Sequence, residues 1–427
     1  MIKSKESKKT ILFWGDIFCF YMSLWAALFL RYLEPITLKT FKENLLPFSA
    51  VYILWAIIFY IAGFYDIESK ISWSIVSIAK TLIIGGVLAI IIFYFFPFLG
   101  ITPKRILIFN IAIASVFVWA WRNIFFSIAT EIDKIKISIL GESKEKNSLI
   151  KYIRQKPYLG YEFTNKLEEA NIILAPAEIK DNPEIVNTLY QMVLSGKTIF
   201  SFENFYESLT GKVPISMIDE KWFLENLTEI NKQMMEKIKR FVDIFLASLF
   251  FIFLILIYLP VAIAIKLNSP GPVLYRQKRV GKNGRIFELI KFRSMTDEPE
   301  SEREKWKKPN AKNRRITSVG NFLRKTRIDE LPQLWNILKG DISFIGPRPE
   351  RPEIVEELKK IVPHYSMRHI IKPGLTGWSQ IHFSDASAED AMEKLQYDLF
   401  YIKNRSALLD TAIFLKTIMV ALQTSGK

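Results

Sequence analysis

Four long apolar segments follow one another in the first third of the chain. They cover about 11–30, 45–64, 81–99 and 106–129. An α-helix needs roughly 20 apolar residues to cross the hydrocarbon core of a bilayer, and each segment has about that length. The pattern predicts a bundle of four transmembrane helices over residues 1–130.

Two ionisable residues lie inside these segments. Asp16 is in the first, where a charge is costly and usually has a partner or a functional role. Arg122 is near the end of the fourth, and its long side chain is expected to reach the membrane surface. The basic tail MIKSKESKK precedes the first segment and predicts a cytoplasmic N-terminus, and four crossings return the chain to that side.

The pattern changes between Lys134 and about Glu220. The stretches KISILG, NIILAP and KTIFSF read as short strands, and EIVNTLYQMVL reads as a helix. Strands that alternate with helices predict a small parallel, Rossmann-like α/β domain over residues 131–225. The turn GESK after the first strand lacks the G-x-G-x-x-G pattern. We therefore expect this domain to be non-catalytic, with a structural or self-association role.

A fifth apolar segment covers about 241–265 and contains Pro260. Basic residues stand before and after it: Lys237, Lys239, Arg240, Lys266, Arg276, Lys278 and Arg279. A true crossing would place one of these clusters on the outer face, against the positive-inside tendency, and proline bends a helix. Two topologies are open: a fifth crossing with a kink, and a re-entrant helix that leaves on the side it entered. Charge and proline together favour the second.

Composition narrows the class of protein. Half of the residues are hydrophobic while 24% are charged, which indicates both membrane and water-exposed parts. The net charge of +15 suits a surface that meets phosphate groups. The single cysteine, Cys19, excludes an intramolecular disulfide framework, and three scattered histidines do not indicate a zinc site. No nucleic-acid-binding motif accompanies the charge, so nucleic acid is not an expected partner.

The remainder of the chain is polar and basic, with three recognisable segments. VLYRQKRVGKNGRIFELIKFRSM predicts a β-hairpin around a glycine-containing turn, and TDEPESEREKWKKPNAKNRR predicts a solvated, mobile loop. LLDTAIFLKTIMVAL has apolar residues at helical spacing. Such a helix lies along the membrane surface or, more commonly, packs on its own domain.

The densest group of candidate catalytic residues lies between Arg324 and Pro352. LPQLWNIL is predicted to form one amphipathic helix that ends at Gly340, with Asp329 and Glu330 just before it. One interpretation is structural: Asp329 caps the helix, because aspartate is a frequent N-cap. Taken alone, an Asp-Glu pair belongs more often to a solvated surface than to an active site.

The surroundings of the acidic pair favour a functional interpretation. Arg324 precedes it, and Arg348 follows in the segment GPRPERP, whose prolines keep the backbone extended. The planar guanidinium group matches phosphate oxygens, and a helix N-terminus also attracts phosphate. Carboxylates amid such charge suggest a nucleophile or a magnesium ligand, since Mg²⁺ binds one or two carboxylates together with substrate phosphates.

From about Lys237 onward the sequence resembles the bacterial sugar transferases known as monotopic polyprenyl-phosphate glycosyl-1-phosphate transferases. The matching stretches are SPGPVLYRQKRVG, FELIKFRSM, RKTRIDELPQLWNILKGDISFIGPRPE, KPGLTGWSQ and YDLFYIKN. With the four spans and the α/β unit, the chain resembles the long form of that family. The resemblance implies an α/β membrane protein whose α+β catalytic domain, residues 232–427, is anchored by a re-entrant helix broken at Pro260. Leu259 stands where many members carry serine.

The same resemblance implies a reaction and roles for individual residues. Asp329 would attack the sugar-linked phosphate of a UDP-sugar, form a covalent aspartyl phosphosugar and release UMP, after which undecaprenyl phosphate would take the sugar phosphate. Glu330 would be the second carboxylate, Lys291, Arg324 and Arg348 would bind phosphate, and Mg²⁺ would be held at Asp329. The implied setting is the cytoplasmic face of the bacterial inner membrane, in a homodimer, at the first membrane step of polysaccharide or glycan synthesis.

Two other classes of function are alternatives to a sugar-phosphate transferase. A transporter would move a lipid or solute through the spans, but these carry few charges and the polar motifs lie outside them. A catalytically inactive anchor or regulator of polysaccharide assembly would not need the intact Asp329–Glu330 pair.

Individual residues also have structural interpretations. Lys291 would be a solvated strand residue, and Arg348 would pair with Glu350 or Asp341. The segment KPGLTGW would be a turn that packs Trp378 in the core. For Gly374 and Gly377, this structural role in the turn is the favoured interpretation.

Overall fold

A computed structural model describes residues 5–65, 74–95, 104–131, 134–176, 182–227, 233–296, 315–382 and 390–424. The chain divides into two compact units, Met1–Phe200 and Ser201–Lys427. The described residues are mostly helical, with a small parallel sheet in the first unit. Most of the predicted solvated loop falls in 297–314 and lies outside the described residues. The predicted domain boundaries near residues 130 and 225 stay a prediction.

Four apolar helices open the first unit: α1 (Lys5–Tyr32), α2 (Leu38–Ile61), α3 (Ile75–Phe95) and α4 (Lys104–Glu131). In the described part of the chain, four helical stretches are long and apolar enough to cross a membrane: Ser7–Tyr32, Leu38–Tyr60, Ile106–Ile128 and, in the second unit, Met234–Asn268. The apolar stretch of α3, Ile75–Ile90, is shorter. These helices indicate a membrane protein, and the predicted helices near the N-terminus are confirmed.

Aromatic side chains form the core of this helical bundle. Phe20 of α1 stacks on Tyr52 with ring centroids 5.5 Å apart and meets Trp55 edge-on at 5.2 Å. Gly15 lies against Trp121 of α4, where an added Cβ would come within 2.0 Å of the indole ring. Close approach of α1 and α4 therefore requires glycine at this position.

A buried ion pair joins α1 to α4. Arg122 is 1% exposed and Asp16 is fully buried. Arg122 donates through Nε to Asp16 Oδ1 at 3.3 Å and through Nη2 to the second carboxylate oxygen, while Nη1 donates to Phe64 O at 2.9 Å. The expectation that Arg122 reaches the membrane surface is wrong, because Asp16 and a backbone carbonyl satisfy its donors inside the bundle. The partner expected for Asp16 is Arg122.

The rest of the first unit forms a four-stranded sheet with two flanking helices. Its elements are β1 (Ile135–Ile139), α5 (Lys144–Gln155), β2 (Tyr161–Phe163), β3 (Ile172–Ala175), α6 (Pro183–Leu194) and β4 (Thr198–Ser201). The strand order is β2-β1-β3-β4, and β1 runs parallel to both neighbours. The three predicted strands are confirmed, whereas the three-residue β2 is too short for a periodic signal. A Rossmann-like relationship stays a prediction.

The second unit contains these elements: α7 (Phe202–Thr210), α8 (Glu220–Asn226), α9 (Gln233–Asn268), β5 (Leu274–Val280), β6 (Ile286–Phe292), α10 (Ser318–Lys325), α11 (Gln333–Lys339), β7 (Ser343–Ile345), α12 (Pro352–Ile361), β8 (Gly374–Thr376), α13 (Trp378–His382), α14 (Ala391–Asn404) and α15 (Ala407–Thr424). Strands β5 and β6 pair antiparallel from Leu274↔Phe292 to Val280↔Ile286, which confirms the predicted hairpin. Strands β7 and β8 pair in parallel.

Helix α9 is the apolar segment that contains Pro260, and it continues through that proline for 36 residues in all. Ala247, Leu254 and Ile265 of α9 are buried in the core of the second unit. Leu256 lies on another side of the helix and is 72% exposed. The predicted break at Pro260 does not appear as an end of the helix, and the re-entrant path stays a prediction.

The C-terminal segment and the KPGLTGW turn both pack on the second unit. Ile413 of α15 is buried in its core, and Thr417 hydrogen-bonds Thr376 of β8 at 2.7 Å, so the helix packs on its own domain as the commoner alternative predicted. Trp378 donates to Gly211 O at 2.9 Å. A Cβ added at Gly377 would lie 2.1 Å from Gly346 O, so this turn needs glycine for close backbone approach.

Removing one member of the buried ion pair is predicted to destabilise the first unit. Arg122→Met leaves the Asp16 carboxylate buried without its counter-charge, a loss of about 3–5 kcal/mol. We expect a clear fall in the thermal unfolding temperature of the detergent-solubilised protein. The double variant Asp16→Leu/Arg122→Met should recover much of that loss, because a well-packed apolar pair replaces a desolvated ionic one.

Arg31→Met is the matched control, because Arg31 lies exposed on the same helix as Asp16. Its unfolding temperature should stay close to that of the unmodified protein. An Arg122→Met variant as stable as this control would contradict the prediction.

Candidate active site

The acidic pair lies in a short 3₁₀ turn, Ile328–Glu330, between α10 and α11. Arg327 precedes it with φ of +60°, a left-handed conformation that turns the chain sharply. Helix α11 begins at Gln333 with Pro332 at its N-cap and no side-chain capping bond. The structural interpretation that Asp329 caps this helix is therefore wrong, whereas the predicted helix over LPQLWNIL is confirmed as α11 except for its first two residues. The 3₁₀ turn takes the residues before Pro332, and Asp329 lies one turn upstream of the helix.

Asp329 is nearly buried and incompletely paired. It is 8% exposed, and among the described residues its Oδ1 atom has no hydrogen-bond partner. Nη1 of Arg324, at the end of α10, is also buried without a partner in that part of the structure. Buried polar atoms are nearly always hydrogen-bonded in native proteins. An orphan acceptor and an orphan donor in one site therefore suit a ligand that brings polar groups of its own.

Glu330 is held by cations on two sides. Lys291 Nζ on β6 donates to Glu330 Oε1 at 3.2 Å, and Arg327 Nη1 lies 3.8 Å from the same oxygen. The Lys291 side chain is only 22% exposed, so the interpretation as a solvated strand residue is wrong. The ion pair ties the strand to the acidic turn.

Asn336 of α11 sets this pairing and was not singled out from the sequence. Its Nδ2 donates to Glu288 O at 2.7 Å, and its Oδ1 accepts from Ile290 N at 3.1 Å. Both bonds go to the backbone of β6 next to Lys291, so they fix the strand against the helix that follows the acidic turn. The available signal was that Asn336 is one of only two polar residues, with Gln333, in the stretch LPQLWNIL.

The two carboxyl groups titrate far apart. Burial and the charge of Glu330 raise the pKa of Asp329 to about 6, although Lys291 and Arg324 oppose that shift. Burial also acts to raise the pKa of Glu330, but the charges of Lys291, Arg348 and Arg327 outweigh it and lower that pKa to about 2. Glu330 is therefore ionised at neutral pH, while Asp329 is close enough to its pKa to exchange a proton.

Arg348 lies in the loop after β7 and is exposed. Its Nη1 donates to Gln380 Oε1 at 3.2 Å. Neither acid proposed as its partner is placed for that role: Glu350 pairs with Arg279 at 3.6 Å, and Asp341 pairs with Lys339 at 3.4 Å.

The structure brings together the five site residues predicted from the sequence. Arg348 and Lys291 act electrostatically on Glu330, and Arg324 and Lys291 act on Asp329. The site therefore holds two carboxyl groups within a group of cations. Pro260, which was also predicted from the sequence, is not part of this group and lies within α9.

The site can contribute a ligand to a divalent cation. The described residues contain no cluster of three or more His, Cys, Asp or Glu side chains able to hold a metal. The unpaired buried oxygen of Asp329 offers one ligand. This matches the way Mg²⁺ is usually shared between one or two carboxylates and the phosphates of a substrate.

Comparison with known proteins gives a consistent set of matches. The model of the bacterial sugar transferase family matches residues 234–424. A UDP-N-acetylgalactosamine-undecaprenyl-phosphate N-acetylgalactosaminephosphotransferase of Aeromonas hydrophila is 39% identical over 239 residues, which are 56% of this chain and 55% of that protein. The match thus spans little more than half of that relative's length.

Other relatives match over a longer region. A UDP-glucose:undecaprenyl-phosphate glucose-1-phosphate transferase of Escherichia coli (strain K12) is 30% identical over 325 residues, 67% of each chain. An uncharacterized sugar transferase of Haemophilus influenzae is 30% identical over 334 residues, 67% of this chain and 69% of that protein. These matches extend beyond the second unit.

The pKa of the Asp329 carboxyl group is predicted to be about 6 in the unmodified protein and lower in Glu330→Gln. Removing the neighbouring negative charge removes a repulsion that favours the protonated form, so the pKa of Asp329 must fall. Infrared spectroscopy with ¹³C-labelled aspartate would follow the titration, with the band assigned by its loss in Asp329→Asn. Glu353→Gln, on the exposed face of α12, is the matched control. A pKa of Asp329 that rises or stays constant in Glu330→Gln would refute the assigned cause.

Proposed function

The chain belongs to the bacterial sugar transferase family, and on that premise we propose that it transfers a sugar-1-phosphate from a UDP-sugar to undecaprenyl phosphate. The observation that carries the proposal is the acidic turn, in which two adjacent carboxyl groups of opposite pKa shift lie among cations. Such a site suits attack by one carboxylate on a phosphate that the cations hold.

In the first step the ionised Asp329 carboxylate attacks the phosphorus that carries the sugar. A new bond forms between that phosphorus and a carboxylate oxygen, and the bond to the bridging oxygen of the diphosphate breaks. UMP leaves with that oxygen, and the enzyme retains an aspartyl phosphosugar. Because the pKa of Asp329 is about 6, most of this carboxyl group is ionised at neutral pH and needs no separate base.

In the second step an oxygen of undecaprenyl phosphate attacks the same phosphorus and displaces the Asp329 carboxylate. The product is undecaprenyl diphosphate-sugar. Glu330 stays ionised through both steps because Lys291 and two arginines stabilise its charge. It would keep Lys291 next to the reacting phosphate and orient the acceptor.

The positive side chains hold the phosphates during both steps. Lys291, Arg324 and Arg348 lie around the carboxylate pair, and Nη1 of Arg324 provides a donor that has no acceptor among the described residues. Charge that develops on the leaving oxygen is stabilised by such fixed donors. Mg²⁺ bound through Asp329 and the substrate diphosphate would supply further neutralisation of phosphate charge.

Uridine is the proposed base because relatives from different bacteria are named for UDP-sugars. Their printed sugars differ, N-acetylgalactosamine in one and glucose in the other, so the sugar class proposed here is a hexose or N-acetylhexosamine. The relatives' acceptor is undecaprenyl phosphate in both names. This acceptor supports a reaction at the bacterial inner membrane, where we propose that the second unit faces the cytoplasm.

The contacts of α9 support a helix that enters and leaves the membrane on one side. Near its start, Arg240 donates to the carbonyl oxygens of Ile337 and Leu338 at 2.5 and 2.6 Å. At its end, Asn268 hydrogen-bonds Ser318 at 3.1 Å. Both ends of the helix therefore contact the second unit, and this supports the re-entrant path over a straight crossing of the bilayer.

Aromatic contacts continue between these two ends. Phe251 lies 6.2 Å from Trp335, and Tyr258 lies 5.7 Å from Phe292, measured between ring centroids. One side of α9 thus packs against the rest of the second unit, and in this proposal the opposite side contacts lipid. In this arrangement the acidic turn before α11 stays near the membrane surface, where a soluble donor and a lipid phosphate can both reach it.

Replacing the proposed nucleophile is predicted to abolish the first step. In Asp329→Asn the amide cannot form the acyl phosphate bond, so UMP release from a UDP-sugar should fall at least about 10³-fold. Intact-protein mass spectrometry of the unmodified enzyme, incubated with donor but without lipid, should show one added sugar phosphate. Asp329→Asn should show none.

The matched control is Asp219→Asn, because Asp219 is exposed and asparagine preserves its N-cap on α8. This variant should retain activity. Full UMP release by Asp329→Asn would eliminate the nucleophile assignment, and absence of UMP release by the unmodified protein across UDP-sugars would count against the function.

Cysteine labelling is predicted to place both ends of α9 on one side of the membrane. In a Cys19→Ser background, Lys237→Cys and Lys266→Cys introduce exposed thiols before and after the apolar stretch. Neither should react with an impermeant maleimide in intact spheroplasts, and both should react in inside-out vesicles. Glu34→Cys, between α1 and α2, should show the reverse pattern as a positive control. Reaction of Lys237→Cys and Lys266→Cys from opposite sides would establish a crossing instead.

A further inference from the structure

Gln380, in α13, has a hydrogen-bonding group that the proposed mechanism leaves unused. Its Oε1 accepts from Arg348 Nη1 at 3.2 Å. Its Nε2 is buried and, among the described residues, has no hydrogen-bond partner. Because arginine has only donors, the amide oxygen must face the guanidinium group and the NH₂ group must point elsewhere. The pairing with Arg348 thus fixes the orientation of the amide and leaves an unpaired donor.

The unpaired NH₂ group lies beside the loop that carries Arg348. A Cβ added at Gly377 would lie 3.7 Å from Gln380 Nε2 and 2.1 Å from Gly346 O. Gly346 is two residues before Arg348. Gly377 therefore lets the start of α13 approach this loop closely enough for Gln380 to reach the arginine.

A buried network holds both members of the pair. Arg368 Nη2 donates to the backbone oxygen of Arg348 at 3.0 Å and forms an ion pair with Asp398 at 2.8 Å. Ser379, the neighbour of Gln380 in α13, donates to the other oxygen of Asp398 at 2.7 Å. The network joins the Arg348 loop to α13 through fully desolvated groups. Gln380 and Arg348 are consequently presented as a preorganised unit.

We propose that Gln380 is a further binding residue for the donor diphosphate, donating its free N–H to the phosphate that Arg348 contacts. This inference rests on the proposed function. An unpaired buried donor favours an acceptor that arrives with the ligand, and the adjacent guanidinium group makes an anionic phosphate oxygen the matching acceptor. Gln380 also positions Arg348, since its oxygen accepts one guanidinium N–H and restricts rotation of the side chain.

Two substitutions remove the proposed donor, one with and one without loss of the acceptor for Arg348. Gln380→Met keeps the side-chain length and removes both the acceptor and the donor. Gln380→Glu keeps an acceptor for Arg348 but removes the donor and adds a negative charge. We expect both variants to raise the KM for the UDP-sugar about tenfold or more, with a change in kcat of less than about threefold at saturating donor.

Equilibrium binding of inorganic pyrophosphate gives a second readout that does not depend on turnover. Its Kd should also rise about tenfold in both variants. If the unmodified protein binds pyrophosphate but releases no UMP, the proposed function fails, while the Kd values of the variants still decide the role of Gln380. Gln191→Met, the same change on the exposed face of α6, should alter neither quantity.

A double-variant cycle with Arg348→Lys tests whether the two side chains act on one phosphate. Loss of affinity in Gln380→Met/Arg348→Lys should be smaller than the product of the two single losses. Unchanged KM and Kd in both Gln380 variants would overturn the proposal, as would fully multiplicative losses in the cycle. Unfolding temperatures identify a misfolded variant, and if Gln380→Met misfolds, Gln380→Glu decides the outcome.

Discussion

The ion pair between Lys291 and Glu330 is the interaction on which the chemistry of the site depends. It brings strand β6 to the acidic turn and, together with the charges of Arg348 and Arg327, outweighs burial and lowers the pKa of Glu330 to about 2. The permanent charge of Glu330 then helps to raise the pKa of its neighbour, Asp329, to about 6. Burial of Asp329 and the cations around Glu330 therefore make two chemically similar side chains unequal, one a fixed anion and the other a group that can gain and lose a proton near physiological pH.

The elements around this pair restrict its movement in different ways. Asn336 fastens α11 to β6 through two backbone hydrogen bonds, and α9 contacts α11 along its apolar face. Arg368 and Asp398 hold the Arg348 loop from the other side. The proposed binding of a diphosphate would benefit from such rigidity, because the cations then need little rearrangement when the phosphate arrives. The same α9 that supports the site carries the apolar surface for the membrane.

Much of the candidate site could be predicted because its residues stand in short motifs. Asp329, Glu330, Arg324 and Arg348 lie within one stretch whose turn and proline signals limit where the side chains can go. The alternative interpretation of Asp329 as a helix cap is wrong, because a 3₁₀ turn precedes α11 and this turn depends on packing against α10 and β6. Asn336 was missed, because its value lies in partners on a strand that is distant in sequence.

The sequence alone determined that the protein has long apolar helices, a small strand-helix unit and an acidic pair amid arginines, since these depend on local composition and periodicity. Tertiary structure decided which charges meet. Asp16 and Arg122 are 106 residues apart, and their pairing is visible only when α1 packs on α4. Gln380 likewise accepts a hydrogen bond from Arg348, which is 32 residues away in the sequence. Ionic and hydrogen-bonding interactions act over a few ångströms in space, whatever the separation along the chain, and the fold sets that distance.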